Sequence, residues 1–363
     1  MRFSSFTSYA LLAPLAACSS IWVTEVPDYV RPYAIPQYEG KAVSIGDQVY
    51  RFPVTGPASG GAFTLLGTNA PSSTSLGVLP HLHERHYENF FNFKGRFQLW
   101  SQYGNETQQT RILERGDYGG VPENTIHTFQ ILDPDTEMTG IICPGGFEDL
   151  FYALANANYT SSTLSPYNPY PSNSSSTPSA SVISQLTSFD VYAELDFVER
   201  SDVVNGAAPN GSVWHTGANA ISSDSIHGAF IAKDYGPKYL YSGPANGSYQ
   251  IVQPFVTGLQ SAGNFTLSTI TLDKGSSATA PTLSFPGHAA FEVLDGKVVV
   301  TMLNETIELL SGDVVFIPGN TTYSYYGGVA FNKFLHISQG EVGLDVTLMA
   351  DSVSWDSPVW PTS

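Results

Sequence analysis

The chain has 363 residues, room for two ordinary domains, and a formal net charge of −17. That charge argues against nucleic acid and against anionic membrane surfaces, since both select Lys and Arg. Only 13% of residues are charged, 13% are aromatic, and there are 33 Gly and 24 Pro, a composition that suits an all-β protein with many turns.

The first segment reads as a signal peptide over residues 1–19. Arg2 is its positive end, Tyr9 to Ala17 its apolar core, and Ala17-Cys18-Ser19-Ser20 a small-residue cleavage zone. The core is too short to span a bilayer, and no later segment is long enough. Leu15-Ala-Ala-Cys18 also fits a bacterial lipoprotein cleavage site, an alternative that would lipidate Cys18. Against it stand eight N-x-S/T sequons, starting at Asn105, Asn158, Asn173, Asn210, Asn246, Asn264, Asn304 and Asn320. They favour a secreted, extracellular, N-glycosylated product. If cleavage removes Cys18, Cys143 remains without a disulfide partner, and stability rests on core packing.

A first domain is expected over residues 20–155. It contains His81-Leu-His83-Glu-Arg-His-Tyr-Glu88, answered by His127 in Gly116-Asp-Tyr-Gly-Gly-Val-Pro122-Glu-Asn-Thr-Ile-His127. On a strand, residues i and i+2 share a face, so His81 and His83 project into one space, and Glu88 joins them past a small irregularity. Three imidazoles and a carboxylate form a ligand set for one divalent transition metal: copper, iron, nickel, manganese or cobalt. Phe97-Gln-Leu-Trp100 alternates as a strand does. Short helices are expected near Phe147 to Leu154 and Ser184 to Tyr192.

Residues 156–205 are expected to be a linker. The stretch Asn158 to Pro178 is rich in Ser, Thr, Asn, Pro and Tyr, too polar to offset its ordering entropy by burial. It is read as exposed, or alternatively as draped over one end of a domain.

A second domain, residues 206–363, repeats the first. Gly95-Arg-Phe-Gln-Leu-Trp100 matches Gly296-Lys-Val-Val-Val-Thr301, Asn105-Glu-Thr107 matches Asn304-Glu-Thr306, and Gly116-Asp117 to His127 matches Gly312-Asp313 to Tyr323. The ligands are lost in the copy: alignment puts Thr282, Ser284 and Ala289 at His81, His83 and Glu88, and Tyr323 at His127. His288 and Glu292 lie nearby but off register. One metal per chain is expected. His86 is expected to face solvent or to stand behind the ligands, His215, His227 and His336 to be structural, and Cys143 to be a small buried hydrophobe.

The two-part motif resembles the cupin family. Its halves read Gly77…His81-x-His83-x(4)-Glu88-x(6)-Gly95 and Gly116-x(5)-Pro122-x-Asn124-x(2)-His127, with Asn where cupins usually carry Gly. Both residues tolerate positive φ. The resemblance implies two jelly-roll-like β-barrels in tandem, joined by the irregular Ser/Thr/Pro-rich segment. Nearly the whole mature chain further resembles the secreted fungal flavonol dioxygenases, the quercetin 2,3-dioxygenase family. That likeness is sharpest in Tyr50-Arg-Phe-Pro-Val-Thr-Gly-Pro57, Phe63 to Pro71, Gly77-Val-Leu-Pro-His81, and Asp133 to Met138 with Pro144-Gly-Gly-Phe147. It implies copper(II) on His81, His83, Glu88 and His127. It also implies opening of the flavonol central ring by O2, with release of carbon monoxide and a phenolic ester (a depside). Metal binding lowers the pKa of the 3-hydroxyl, and Glu88 takes its proton as base. Carry-over from the family gives Tyr50, Leu66, Thr68, Phe90, Phe129, Met138 and Phe147 as substrate-binding residues, in keeping with a flat, mostly apolar ligand.

Two alternatives belong to other classes. An oxalate- or sugar-acid-acting cupin would need a cation for its carboxylate substrate, and Arg85 and Arg96 are the candidates. A storage or binding bicupin would not need four intact ligands. A homodimer is compatible with the sequence, although the sequons restrict where a large interface fits.

Overall fold

The computed structural model describes residues 20–161, 165–170, 180–209, 213–243 and 248–361. The period-2 runs become strands, which pair antiparallel into two sandwich-like barrels. In the first barrel an eight-stranded sheet faces a five-stranded one. The larger sheet runs Ala157–Asn158, Ala42–Ile45, Gln48–Val54, Thr64–Ala70, Thr136–Cys143, Tyr87–Lys94, Tyr118–Val121 and Phe230–Ile231. The smaller runs Tyr192–Ala193, His81–Leu82, Thr125–Ile131, Phe97–Tyr103 and Gln109–Leu113. Phe90 and Met138 from one sheet meet Phe97, Leu99 and Phe129 from the other in a shared core. In the second barrel an eight-stranded sheet centred on Ala289–Asp295, Asn332–Gln339 and Phe265–Leu272 covers the three strands Glu305–Leu310, Lys297–Met302 and Tyr323–Gly327. Phe291, Phe334, Val298 and Tyr325 fill the space between them.

Odd and even residues of a strand face opposite ways, and both faces of the large sheets are apolar. The outward faces therefore pack on each other. Phe91 and Tyr118 of the first barrel meet Phe255, Phe265 and Leu267 of the second. The rings of Tyr118 and Phe255 stack at 4.6 Å with an interplanar angle of 11°.

The expected domain boundaries need correction, because each barrel borrows a strand. Tyr33–Ile35, counted with the first domain, pairs with Val314–Ile317 of the second barrel, and Ile21 is buried in that barrel's core. Phe230–Ile231, counted with the second domain, pairs with Tyr118–Val121 of the first, and Ala207 and Trp214 are buried there too. Tyr118–Val121 and Val314–Ile317 are equivalent strands of the repeat, so the exchange is reciprocal. It covers an edge that would otherwise be open in each sheet.

The linker expectation also needs correction. Its second half is ordered and partly buried: Ala180–Leu186 is a helix, Thr187–Phe189 a 3-10 turn, and Leu186 and Val191 pack with Tyr50 and Phe147. This part packs on the first barrel, so the linker assignment does not hold for these residues. The other expected helix is present as Glu148–Leu154. The expected signal segment 1–19 and the sequons at Asn173, Asn210 and Asn246 lie outside the described residues. Among those residues no helix is long and apolar enough to cross a membrane.

Candidate metal centre

His81 and His83 lie where the chain leaves Pro80, runs through His81–Leu82, and bends before Tyr87–Lys94 begins. Glu88 is the second residue of that next strand. His127 comes from the paired strand, in direct register with His81. The two halves of the motif are tied at the turn, where the Asn124 N–H donates to the His83 carbonyl at 2.6 Å. Asn124 has φ 61°, the left-handed conformation that the usual Gly would supply.

Ligand atoms of His81, His83, Glu88 and His127 all lie within 4.8 Å of one another. The Nδ1 of each imidazole meets a backbone carbonyl: Leu79 at 2.7 Å for His81, Asp190 at 2.7 Å for His83, Thr125 at 3.1 Å for His127. A carbonyl only accepts, so each Nδ1 carries a proton, and in a neutral ring Nε2 presents its lone pair. Two of those Nε2 atoms face Glu88 Oε2, at 3.2 Å from His83 and 2.9 Å from His127. Lone pair against lone pair is repulsive unless a cation stands between them. The donor set therefore fits a metal ion, with imidazole nitrogens and one carboxylate converging from fixed tautomers.

The electrostatics agree. Burial lowers the His81 pKa well below the usual imidazole value, and the neighbouring His127 and His83 lower it further, so this ring is neutral. Burial alone would raise the Glu88 carboxyl, but the facing His127 and His83 rings outweigh it and hold Glu88 below the usual carboxylate range.

Of the residues carried over as substrate-binding, Tyr50, Leu66, Thr68, Phe90 and Met138 lie on the larger sheet of this barrel and Phe129 on the smaller, while Phe147 lies just ahead of the helix Glu148–Leu154. Strand register sets them in rows: Phe90 beside Gly140 and Leu66, then Met138 beside Thr68 and Tyr50. The Phe90 ring centroid is 5.9 Å from His127, and that of Phe147 is 5.0 Å from His83. Phe129 lies against Gly77, where a Cβ would approach its ring to 2.2 Å, so the motif glycine is needed for close approach. The Tyr50 hydroxyl donates to Gln48 Oε1 at 3.0 Å. Its pKa is raised, first by burial and then by the Glu88 charge.

Two participants escaped the sequence. Gly140 stands between Leu66 and Phe90, and its lack of a side chain lets Leu66 pack directly over it; it sits in an apolar run with no motif to mark it. Asp190 holds His83 from 107 residues away. His86, set behind the ligands as one of its two expected readings had it, hydrogen-bonds to Asp190 Oδ2 at 2.6 Å. Cys143 is free and buried.

The second barrel also corrects an alignment. Asn320 N–H donates to the Phe285 carbonyl, as Asn124 does to His83, and Leu283 bridges Tyr323 as His81 pairs with His127. Leu283 and Phe285, not Thr282 and Ser284, thus occupy the places of His81 and His83. The loop to Ala289 is one residue shorter than that to Glu88, which hides the register in a linear alignment. With Leu, Phe, Ala and Tyr at the four positions, this barrel lacks the ligand set. His288 instead accepts from Gly319 N–H at 2.9 Å, and Glu292 points into the contact between barrels, bonded by Thr139 at 3.1 Å.

No family model matches the chain. It is 56% identical over 349 residues to quercetin 2,3-dioxygenase of Aspergillus japonicus, covering 94% of this chain and 99% of that protein. The chain belongs to the quercetin 2,3-dioxygenase family. A second relative, quercetin 2,3-dioxygenase of Bacillus subtilis, is 32% identical over 142 residues, 39% of this chain and 40% of that one. Among solved structures, an oxalate decarboxylase variant from Bacillus subtilis superposes with TM-score 0.52 at 14% identity, covering 88% of this chain and 79% of that one. That likeness shows a shared two-barrel cupin fold. The cations weighed for a carboxylate substrate are engaged elsewhere: the exposed Arg85 pairs with Asp190 and the exposed Arg96 with Asp133.

Proposed function

We propose that His81, His83, Glu88 and His127 hold one divalent metal, copper(II), at which the chain opens the central ring of flavonols such as quercetin with O2. The observation that carries this is the convergence of three Nε2 lone pairs and a carboxylate inside an apolar, aromatic-lined barrel, in a chain of this family. A bound metal ion supplies Lewis acidity that lowers the pKa of the flavonol 3-hydroxyl. Glu88 accepts the 3-hydroxyl proton on its carboxylate. Phe90, Phe147, Leu66, Phe129 and Met138 hold the flat rings and exclude water, which strengthens electrostatic interactions at the site. Tyr50 and Thr68 offer hydroxyls to the substrate's oxygens. Both atoms of O2 enter the phenolic ester, and one ring carbon leaves as carbon monoxide.

The test is incubation with quercetin and oxygen, following loss of the flavonol visible band and release of carbon monoxide, beside a flavone that lacks the 3-hydroxyl. Quercetin is consumed and the flavone is not; equal turnover of both rejects the mechanism.

We further propose that the chain is secreted and N-glycosylated. The sequons within the described residues, at Asn105, Asn158, Asn264, Asn304 and Asn320, are all exposed or half-buried at the surface, which supports this reading. Enzymatic deglycosylation of the native protein lowers its mass if it holds.

A further inference from the structure

His81 and His127 are each oriented locally, by a carbonyl two residues earlier. His83 is not. Its Nδ1 is held by the carbonyl of Asp190, in the segment that joins the barrels. Asp190 has φ 62° and closes the turn Thr187–Phe189, its N–H on the Thr187 carbonyl at 3.1 Å. This left-handed turn aims its own carbonyl at the imidazole.

The Asp190 side chain, fully buried, does a second task. Its carboxylate accepts from Glu84 N–H at 3.2 Å, Arg85 N–H at 2.9 Å and His86 Nδ1 at 2.6 Å, with Arg85 Nε at 3.4 Å. Residues 84–86 are the bend between His83 and the strand that carries Glu88. One carboxylate thus fixes the bend that sets the spacing of two ligands. Beyond it the same segment follows the ligand strand: Tyr192 pairs with Leu82, Ala193 with His81, and Glu194 N–H donates to Pro80 at 2.8 Å.

We propose that Asp190 is a positioning residue for the metal centre, fixing the His83 tautomer through its carbonyl and the His83–Glu88 bend through its carboxylate. The ligand set is then complete only when the inter-barrel segment is docked along residues 80–86. Asp190 lies outside the set of His81, His83, Glu88 and His127. The proposal rests on the metal-binding reading of the four ligands.

The test uses the full chain, stripped of metal and loaded with cobalt(II), whose visible spectrum reports coordination independently of turnover. Asp190→Gly suits the left-handed turn and keeps the carbonyl but removes the carboxylate. Partners that orient metal ligands typically contribute about 10–100-fold in metal affinity, and loss of cobalt to a chelator should accelerate by that order in Asp190→Gly. Asp190→Asn retains an acceptor oxygen and recovers part of the loss. It carries the test alone if thermal unfolding shows that the glycine variant does not fold. Cobalt release from both Asp190 variants within about twofold of wild type overturns the proposal. A wild-type chain that takes up no cobalt at all instead removes the metal reading on which it rests.

Discussion

Glu88 is asked to do more than hold metal. Three imidazoles with fixed tautomers already make a site, while Glu88 is the one carboxylate in the converging set, and its depressed pKa keeps it ionised. Losing a positioned base costs on the order of 10²–10⁴ in rate. Glu88→Gln keeps the shape and an oxygen donor without the basicity, so it should retain most of its metal and lose kcat by that factor. His83→Ala should lose metal and activity together. Metal content and kcat measured on both variants check this. Near-normal turnover in metal-replete Glu88→Gln reduces Glu88 to a ligand. The residue scale was also the most legible in the sequence. The spacings His81-x-His83 and Pro122-x-Asn124 have direct backbone consequences, a shared strand face and a left-handed turn. Asp190 was illegible, because it contributes through a backbone carbonyl, which every residue possesses, and its carboxylate meets main-chain N–H groups that leave no pattern.

At the scale of elements, strand periodicity is what turns local sequence into a substrate-shaped interior. Glu88 and Phe90 on one strand, Leu66 and Thr68 on the next but one, and Met138 and Gly140 between them share a face by alternation alone. Gly140 is the member of that set without a side chain, and Leu66 packs over it. A Cβ there meets Leu66 Cγ at 3.1 Å, tight but against a flexible side chain. Gly140→Val should therefore fold, since valine is at home in a strand, and push Leu66 toward the place proposed for the flat ligand. The expected result is a KM for quercetin raised about tenfold, the order that a misfitting methyl or two produces in an apolar pocket, with metal content unchanged. Unchanged KM would place the flavonol elsewhere in the barrel. The linker shows how composition misleads at this scale. Its polar first half set the expectation for all of 156–205, yet Leu186 and Val191 near its end are the residues that bury. The exchanged strands were equally hidden, because two- and three-residue edge strands carry too few positions for a period to register.

At the scale of the whole molecule, the repeat has kept its frame and dropped its chemistry in one copy. Metal analysis of the purified protein should give about one equivalent per chain, because the second barrel has Leu283, Phe285, Ala289 and Tyr323 at the ligand positions. Two equivalents at full occupancy would contradict that count. What that barrel supplies instead is a large apolar partner face, and one ionisable group is set into it. Glu292 is buried against the first barrel, its Oε1 bonded by Thr139 and its Oε2 without a partner. Burial raises its pKa from 4.5 to about 8, the Thr139 bond opposes this, and the nearby Glu137 adds to it. The folded state therefore holds a proton that the unfolded chain releases near its ordinary pKa. The resulting stabilisation is present in full below about pH 4.5 and is lost as pH rises toward 8, where the folded group ionises too. Each tenfold difference in proton affinity between the folded and unfolded chain is worth about 1.4 kcal/mol, so the total is at most a few kcal/mol. Glu292→Gln mimics the neutral acid at every pH. Its unfolding free energy, measured by denaturant titration between about pH 5 and about pH 8, should fall less steeply than that of the wild type. Parallel pH profiles for the two proteins would mean that the inter-barrel contact tolerates the charge, through water or local opening, and that Glu292 does not control it.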